Sequence, residues 1–437
     1  VLGITTPSWG ILSTALLAVF GKFTPAALVT VGVACWTLAT WLVCERLPRR
    51  ARLFALLALS LWPTFTDNQL LGMETPFFCL LLVLAERATH RAQVTQAAAW
   101  LSAALITRPE AVLFAPCLFV SRASVCGFTS ALRELIRPRT LYALCALPLA
   151  WFSYAFAIYG GIVPHSAVAK SGWNAEHYDL GLSEMLGQAV LRLSPFAPAE
   201  HLPGPLAIFG TLCAALLFGF AGIALIKNQR PFAQPWALFA LLYLAFFAIG
   251  RGATEASWYA IPSALALIVV VAPHLPRALR LRRPAVRFAA VLVLLGASTF
   301  SGVRRGELLA SYEEGYGEAA NALVESRGEA ATRVLIGEIG VYGWRCDYPI
   351  VDAAALVSPE VLRLREHNPS FLGLVQATGV THFVISESSA AENRYPNLDG
   401  LWKTESEREF FETGCRPIFT HAGKVTYAVS ETAGASL

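Results

Sequence analysis

Glu74 stands in "LLGMETPFF", at the join of two apolar runs, where an ionised carboxylate is costly unless something holds it. The next polar interruption is "TRPE", with Arg108 and Glu110. A third, "GGIVPHSAVAK", brings His165, Ser166 and Lys170, and a fourth, "GRGATEASWYAIP", brings Arg251, Glu255, Trp258 and Tyr259. Arg108, Lys170 and Arg251 are cations suited to a phosphate, and an arginine grips two of its oxygens at once. Glu74, Glu110 and Glu255 are carboxylates suited to holding hydroxyls or accepting a proton. Each also has a plain structural reading. Glu74 fits a helix-end acid, with Thr75-Pro76 opening the helix. Arg108 and Glu110 fit an ion pair fixing a turn. His165 fits a solvated loop, and Trp258 and Tyr259 fit anchors at a membrane surface.

What positions these groups is a chain that is 55% hydrophobic and 15% charged over 437 residues. Soluble domains carry about 25% charged residues, so this composition predicts a polytopic membrane protein. The net charge of +4 points to no nucleic-acid partner. Ten apolar runs are candidate spans: 26–44, 51–65, 74–86, 96–107, 110–121, 139–158, 204–226, 231–249, 256–274 and 286–301. Basic residues follow every second run. They are Arg46 to Arg52, then Arg87 and Arg91, Arg122 to Arg139, Lys227 and Arg230, and Arg277 to Arg287. Lys and Arg mark cytoplasmic loops, so the alternate loops, which hold all four polar interruptions, face outward. A tight turn at Thr107–Glu110 preserves this alternation, and Pro109 favours it by ending the preceding helix.

The apolar stretch 5–23 precedes the first clear span and reads as an interfacial helix, with Trp9 and Phe23 at the headgroups. Charge rises after residue 302. Short strands are expected at 333–337, 382–386, 416–420 and 424–429, and helices at 358–366 and 370–378, which together suggest a small α/β domain outside the cell. The expected architecture is therefore an interfacial helix (1–25), an α-helical polytopic membrane domain of about ten spans (26–301) and a C-terminal extracytoplasmic α/β domain (302–437). Its aromatics Tyr342, Trp344 and Trp402 suit either sugar stacking or a core.

Seven of the nine cysteines fall in or beside apolar runs. The other two, Cys346 and Cys415, form a disulfide or stay as two thiols. No metal-binding cluster is visible, although the acids are compatible with a divalent cation. No GxSxG, Walker A, HExxH or GxGxxG pattern occurs. The chain begins at Val1 with no charged leader, so its natural N-terminus is expected upstream.

Five segments carry a resemblance. "NQLLGMETPFF" is similar to an "SGLETALF" element, "LITRPEAVLF" to an "LTRPEG" turn, and "YGGIVPHSAVAK" to a "YG…PNT…AK" loop. "TTPSWGILSTALLAVFG" looks like a horizontal helix on the outer face, and "GEIGVYGWRCDYPIVDAAALVSPEV" like an extracytoplasmic tail. Together they resemble the GT-C glycosyltransferases, multi-span bacterial enzymes of the plasma membrane that use a polyprenyl-phosphate sugar. Mycobacterial cell-wall arabinofuranosyltransferases are similar in type.

The resemblance implies sugar transfer to an envelope glycan or glycolipid on the outer face. It implies Glu74 and Glu110 as catalytic carboxylates, and Arg108, Lys170, Arg251 and Tyr259 as groups around the donor phosphate. His165, Ser166 and Glu255 would belong to the acceptor or loop, with His165-Ser166 departing from the usual Asn-Thr. The family's principal acid lies in an outer loop ahead of the horizontal helix and is expected upstream of Val1. The competing classes are a membrane transporter or lipid flippase, and an envelope scaffold built around residues 302–437.

Overall fold

The structure, a computed structural model, describes residues 7–62, 64–65, 73–159, 182–195, 204–226, 232–249, 257–274, 313–325, 332–337, 348–355, 358–365, 369–395 and 400–430, with isolated positions between them. The chain forms two compact units, one drawn mainly from residues 2–303 and the other mainly from Arg304–Leu437.

The first unit is helical. Helix α1 (Pro7–Phe20) stops at Gly21, whose φ of +52° suits a residue without a Cβ. A 3-10 turn (Gly21–Phe23) leads into α2 (Thr24–Arg46). The break divides an apolar stretch, Gly10–Arg46, of 37 residues. Unbroken, it would be roughly 55 Å long, far more than a bilayer's hydrocarbon core. Next come α3 (Arg49–Leu61), α4 (Thr75–His90) and α5 (Val94–Thr107). A 3-10 turn at Pro109–Leu113 leads to α6 (Phe114–Cys126), and α7 (Phe128–Leu135) and α8 (Pro138–Tyr159) follow. The remaining helices are α9 (Leu182–Arg192), α10 (Gly204–Ile226), α11 (Gln234–Ile249) and α12 (Ala260–Val271).

Four stretches are long and apolar enough to cross a membrane: Gly10–Arg46, Pro109–Cys126, Pro138–Ala157 and Ile208–Ile226. Four more apolar helices run only 10–17 residues. The ten expected spans therefore become four clear ones among the described residues, and most of 286–301 lies outside them. The reason is helix length. Helices α3, α5, α11 and α12 run 13, 14, 16 and 12 residues, short of the ~20 that a straight span needs. In α12 every residue is buried, so this roughly 18 Å helix meets protein on all sides rather than lipid. In the same core, Phe114, Trp236, Phe239 and Tyr243 are fully buried, with Phe114 against Trp236 and Phe239 and Phe239 against Tyr243 in tilted or edge-on contacts about 5 Å between centroids.

The turn expected at Thr107–Glu110 is present. α5 ends at Thr107, Arg108 is extended (φ −148°, ψ 125°), and Pro109 starts the 3-10 turn. The two arms run antiparallel, because Val94 at the start of α5 and Arg122 near the end of α6 line one cavity.

The second unit carries a five-stranded sheet of order β2-β1-β3-β5-β4. Its strands are β1 (Val334–Ile336), β2 (Ile350–Asp352), β3 (His382–Ser386), β4 (Cys415–His421) and β5 (Lys424–Val429). β1 is parallel to β2 and β3, whereas β3/β5 and β4/β5 are antiparallel. Its helices are α13 (Glu318–Glu325), α14 (Pro359–Arg365), α15 (Phe371–Thr378), α16 (Glu387–Glu392) and α17 (Glu405–Gly414). Four strands and two helices lie where the sequence predicts them, and β2 is additional. The segment after β2 is shaped locally. The Asp352 carboxylate accepts the Ala354 N–H at 2.8 Å, and Ser358 Oγ accepts the Asp352 N–H at 2.8 Å. The acid of "VDAAALVSPEV" therefore builds a turn.

One half of the candidate cysteine pair is described. Cys415 is a free thiol, buried beside Tyr427, while Cys346 lies outside the described residues. Burial pushes the Cys415 thiol up to about 12, so its thiolate is scarce at neutral pH. Iodoacetamide at pH 8 is expected to modify Cys415 on the order of a thousand-fold more slowly in the folded chain than in the urea-unfolded chain, read by peptide mass. Equal rates would mean that the thiol is accessible.

Candidate functional site

Glu74 immediately precedes α4, and its carbonyl accepts the Phe78 N–H at 2.9 Å. Its carboxylate makes no capping bond. It faces Arg108 instead, Oε1 to Nη1, at 3.5 Å. Glu74 keeps its place at the helix end, but its carboxylate turns to Arg108 rather than to the helix N–H groups. Arg108 sits at the end of α5, where its own N–H still closes the helix on Ala104 at 2.8 Å. The proline after it forces the extended backbone.

From there its guanidinium makes a fork. Nη1 donates to Thr75 Oγ1 at 3.0 Å, and Nη2 donates to Glu110 Oε1 at 3.0 Å. Its flat face lies 4.8 Å from the Tyr259 ring centroid and 5.9 Å from that of Phe78. Arg108 is 3% exposed and Glu74 7%, so this is a buried charge cluster rather than a surface pair. Two carboxylates against one guanidinium leave an excess of negative charge when both acids are ionised. Tyr259 is thus part of the cluster and not a free interfacial anchor. Ser8 Oγ hydrogen-bonds Thr107 Oγ1 at 2.7 Å and ties α1 to the same end of α5.

A second charged network occupies the other end of the same helices. Arg46 reaches Glu86 at 2.5 Å, and Arg87 reaches Glu45 at 2.5 Å. The Arg46 guanidinium covers Phe232 at 4.4 Å, and Ser124 donates to Gln234 at 3.1 Å. Arg122 is held by both oxygens of Glu134, at 2.7 and 2.8 Å. Along α4, Glu74 and Glu86 are about 18 Å apart. Among the described residues, the arginine-rich loops after α2, α4 and α6 therefore lie at one end of the bundle and the Arg108 cluster at the opposite end.

Lys170, His165, Ser166, Arg251 and Glu255 lie outside the described residues, as do Tyr342 and Trp344. Trp402 is described and is a core aromatic. It stacks on Phe411 at 5.6 Å, and its backbone N–H donates to Asn393 Oδ1 at 2.9 Å. Among the described residues no group of three or more His, Cys, Asp or Glu converges as a metal site.

Two participants escape sequence reasoning. Thr75 reads as a helix opener but anchors Arg108. Tyr243 reads as one aromatic in "ALLYLAFF", yet it is fully buried within electrostatic range of Arg108 and Glu110. Its hydroxyl has no hydrogen-bond partner among the described residues. The available signal was a hydroxyl in the middle of a hydrocarbon helix.

No family model matches the chain. Over 107 residues, 24% of this chain, it is 27% identical to a citrate transporter of Bacillus subtilis (strain 168), and the match spans 22% of that protein. Among solved structures it is similar to ArnT from Cupriavidus metallidurans in the apo state. The TM-score is 0.61 at 12% identity, covering 100% of this chain and 89% of that one. This likeness establishes the fold: the chain is a helical membrane protein built like ArnT.

Proposed function

We propose that the chain is a membrane glycosyltransferase of the GT-C type, moving a sugar from a polyprenyl phosphate to an envelope glycan or glycolipid on the outer face of a bacterial plasma membrane. One observation carries the reading: the buried Glu74–Arg108–Glu110 cluster lies at the end of the helices opposite the arginine-rich loops. The ArnT-like fold and the five sequence resemblances support it. An arabinofuranosyl donor is the finer form of the same proposal.

The acceptor oxygen attacks the anomeric carbon, the bond from that carbon to the phosphate oxygen breaks, and polyprenyl phosphate leaves. The acceptor's proton passes to a carboxylate, which the resemblance assigns to the loop ahead of α1. Arg108 is already engaged by Glu74, Glu110 and Thr75. Its part is to fix two carboxylates in one orientation, where they hold the sugar hydroxyls. The growing phosphate charge falls to Lys170 and Arg251.

The second reading is a transporter, favoured by the short match to the citrate transporter. Transporters place their sites near the bilayer midplane, at broken helices. A charged cluster at helix ends fits a surface reaction better.

The deciding experiment gives membranes holding the protein a labelled polyprenyl-phosphate sugar, and gives sealed vesicles labelled citrate. Transfer of label to glycan with no citrate uptake above empty vesicles is the expected result. Citrate accumulation without transfer overturns the proposal.

A further inference from the structure

A polar cavity of 330 Å³ opens at the arginine-rich end, where the start of α5 meets the start of α8. Arg137, Arg139, Thr140, Thr95 and Gln93 line it. Thr95 and Thr140 hydrogen-bond each other across it at 3.1 Å. Among the described residues neither arginine makes a salt bridge, and the Glu134 carboxylate within electrostatic range of Arg137 is gripped by Arg122, so two cations face one chamber.

Val94 is shared with a second cavity of 290 Å³. That cavity is almost wholly apolar. It runs between α5 and α6, where Ala97, Ala98 and Ala115 leave room and Leu101, Leu118 and Leu144 form the walls. Arg122 lines the apolar chamber and Glu134 the polar one, and the two grip each other. The one acid of the polar chamber is thereby neutralised.

α7 marks the depth. Its Ala131 and Leu135 line the apolar slot, while Phe128, Leu132 and Ile136, at helical spacing, are exposed. A short helix with one apolar face inward and another outward lies at the boundary between headgroups and acyl chains. The polar chamber is thus at headgroup level and the slot at chain level.

From this juxtaposition we propose a second lipid site, distinct from the Arg108 cluster and about 20 Å from it along α5. It takes an anionic phospholipid, with the phosphate against Arg137 and Arg139 and one acyl chain in the α5/α6 slot. Basic pockets between spanning helices recognise acidic headgroups in this way. The site stands whether the protein transfers sugar or transports.

The test is native mass spectrometry of the intact protein in neutral detergent, titrated with phosphatidylglycerol, phosphatidylcholine or inorganic phosphate. Phosphatidylglycerol is expected to bind and phosphatidylcholine to bind far less. Arg137→Gln with Arg139→Gln should weaken phosphatidylglycerol about thirty-fold. Ala98→Phe should weaken it with both arginines intact, and Ala115→Leu serves if that variant does not fold. Equal binding of phosphatidylcholine, no effect of the arginine pair, or displacement of the lipid by inorganic phosphate alone would each overturn the proposal.

Discussion

Arg108→Ala is expected to destabilise the helical unit by about 3–5 kcal/mol, read by denaturant or thermal unfolding in detergent. The guanidinium lies between Glu74 and Glu110, donates to Thr75 and covers Tyr259. Removing it leaves two carboxylates in a site too buried for water to replace it. Arg108→Lys should recover only part of the loss, because an ammonium cannot supply the planar fork or stack on the ring. A triple variant, Glu74→Gln, Arg108→Met and Glu110→Gln, tests the cause: with no charge left it should be markedly more stable than Arg108→Ala alone. A loss below about 1 kcal/mol for Arg108→Ala would show that the cluster is hydrated and not a buried ion network.

Lys170→Ala is expected to do the reverse, leaving stability intact and lowering sugar transfer by roughly 10²–10³-fold. A cation aimed at a leaving phosphate acts mainly as charge builds, so the loss should appear in kcat more than in KM. Lys170→Arg should restore part of the rate, since the charge returns with a different shape. Wild-type transfer by Lys170→Ala would remove the phosphate clamp, and Arg251 would then be the next cation to replace. Read together, the two variants separate roles: Arg108 builds the site, and Lys170 works on the leaving group.

Composition alone was enough to predict a helical membrane protein, because burial of so much apolar surface has few other solutions. The "TRPE" turn was equally legible, since Pro109 leaves the residue before it little but extended backbone. The meeting of the first two basic loops was also readable, and the pairing of Arg46 with Glu86 and of Arg87 with Glu45 brings the loops after α2 and α4 to one end. Span number was not legible, because hydropathy does not register where a helix ends, nor that protein rather than lipid surrounds α12.

Partner choice is the other thing only the fold decided. Glu74 could have capped its helix, and Arg108 could have paired with Glu110 alone. Both fit the local sequence, since i and i+2 neighbours or a helix end need no distant residue. α4 and α5 run side by side, which brings residues 34 positions apart within 3.5 Å. Thr75 reaches the same guanidinium for the same reason, and Tyr259 meets it from the residue just ahead of α12. Residue types and their order told which groups were too costly to bury alone. Packing told which partner would share each burial, because side chains distant in sequence meet only when whole helices choose their neighbours.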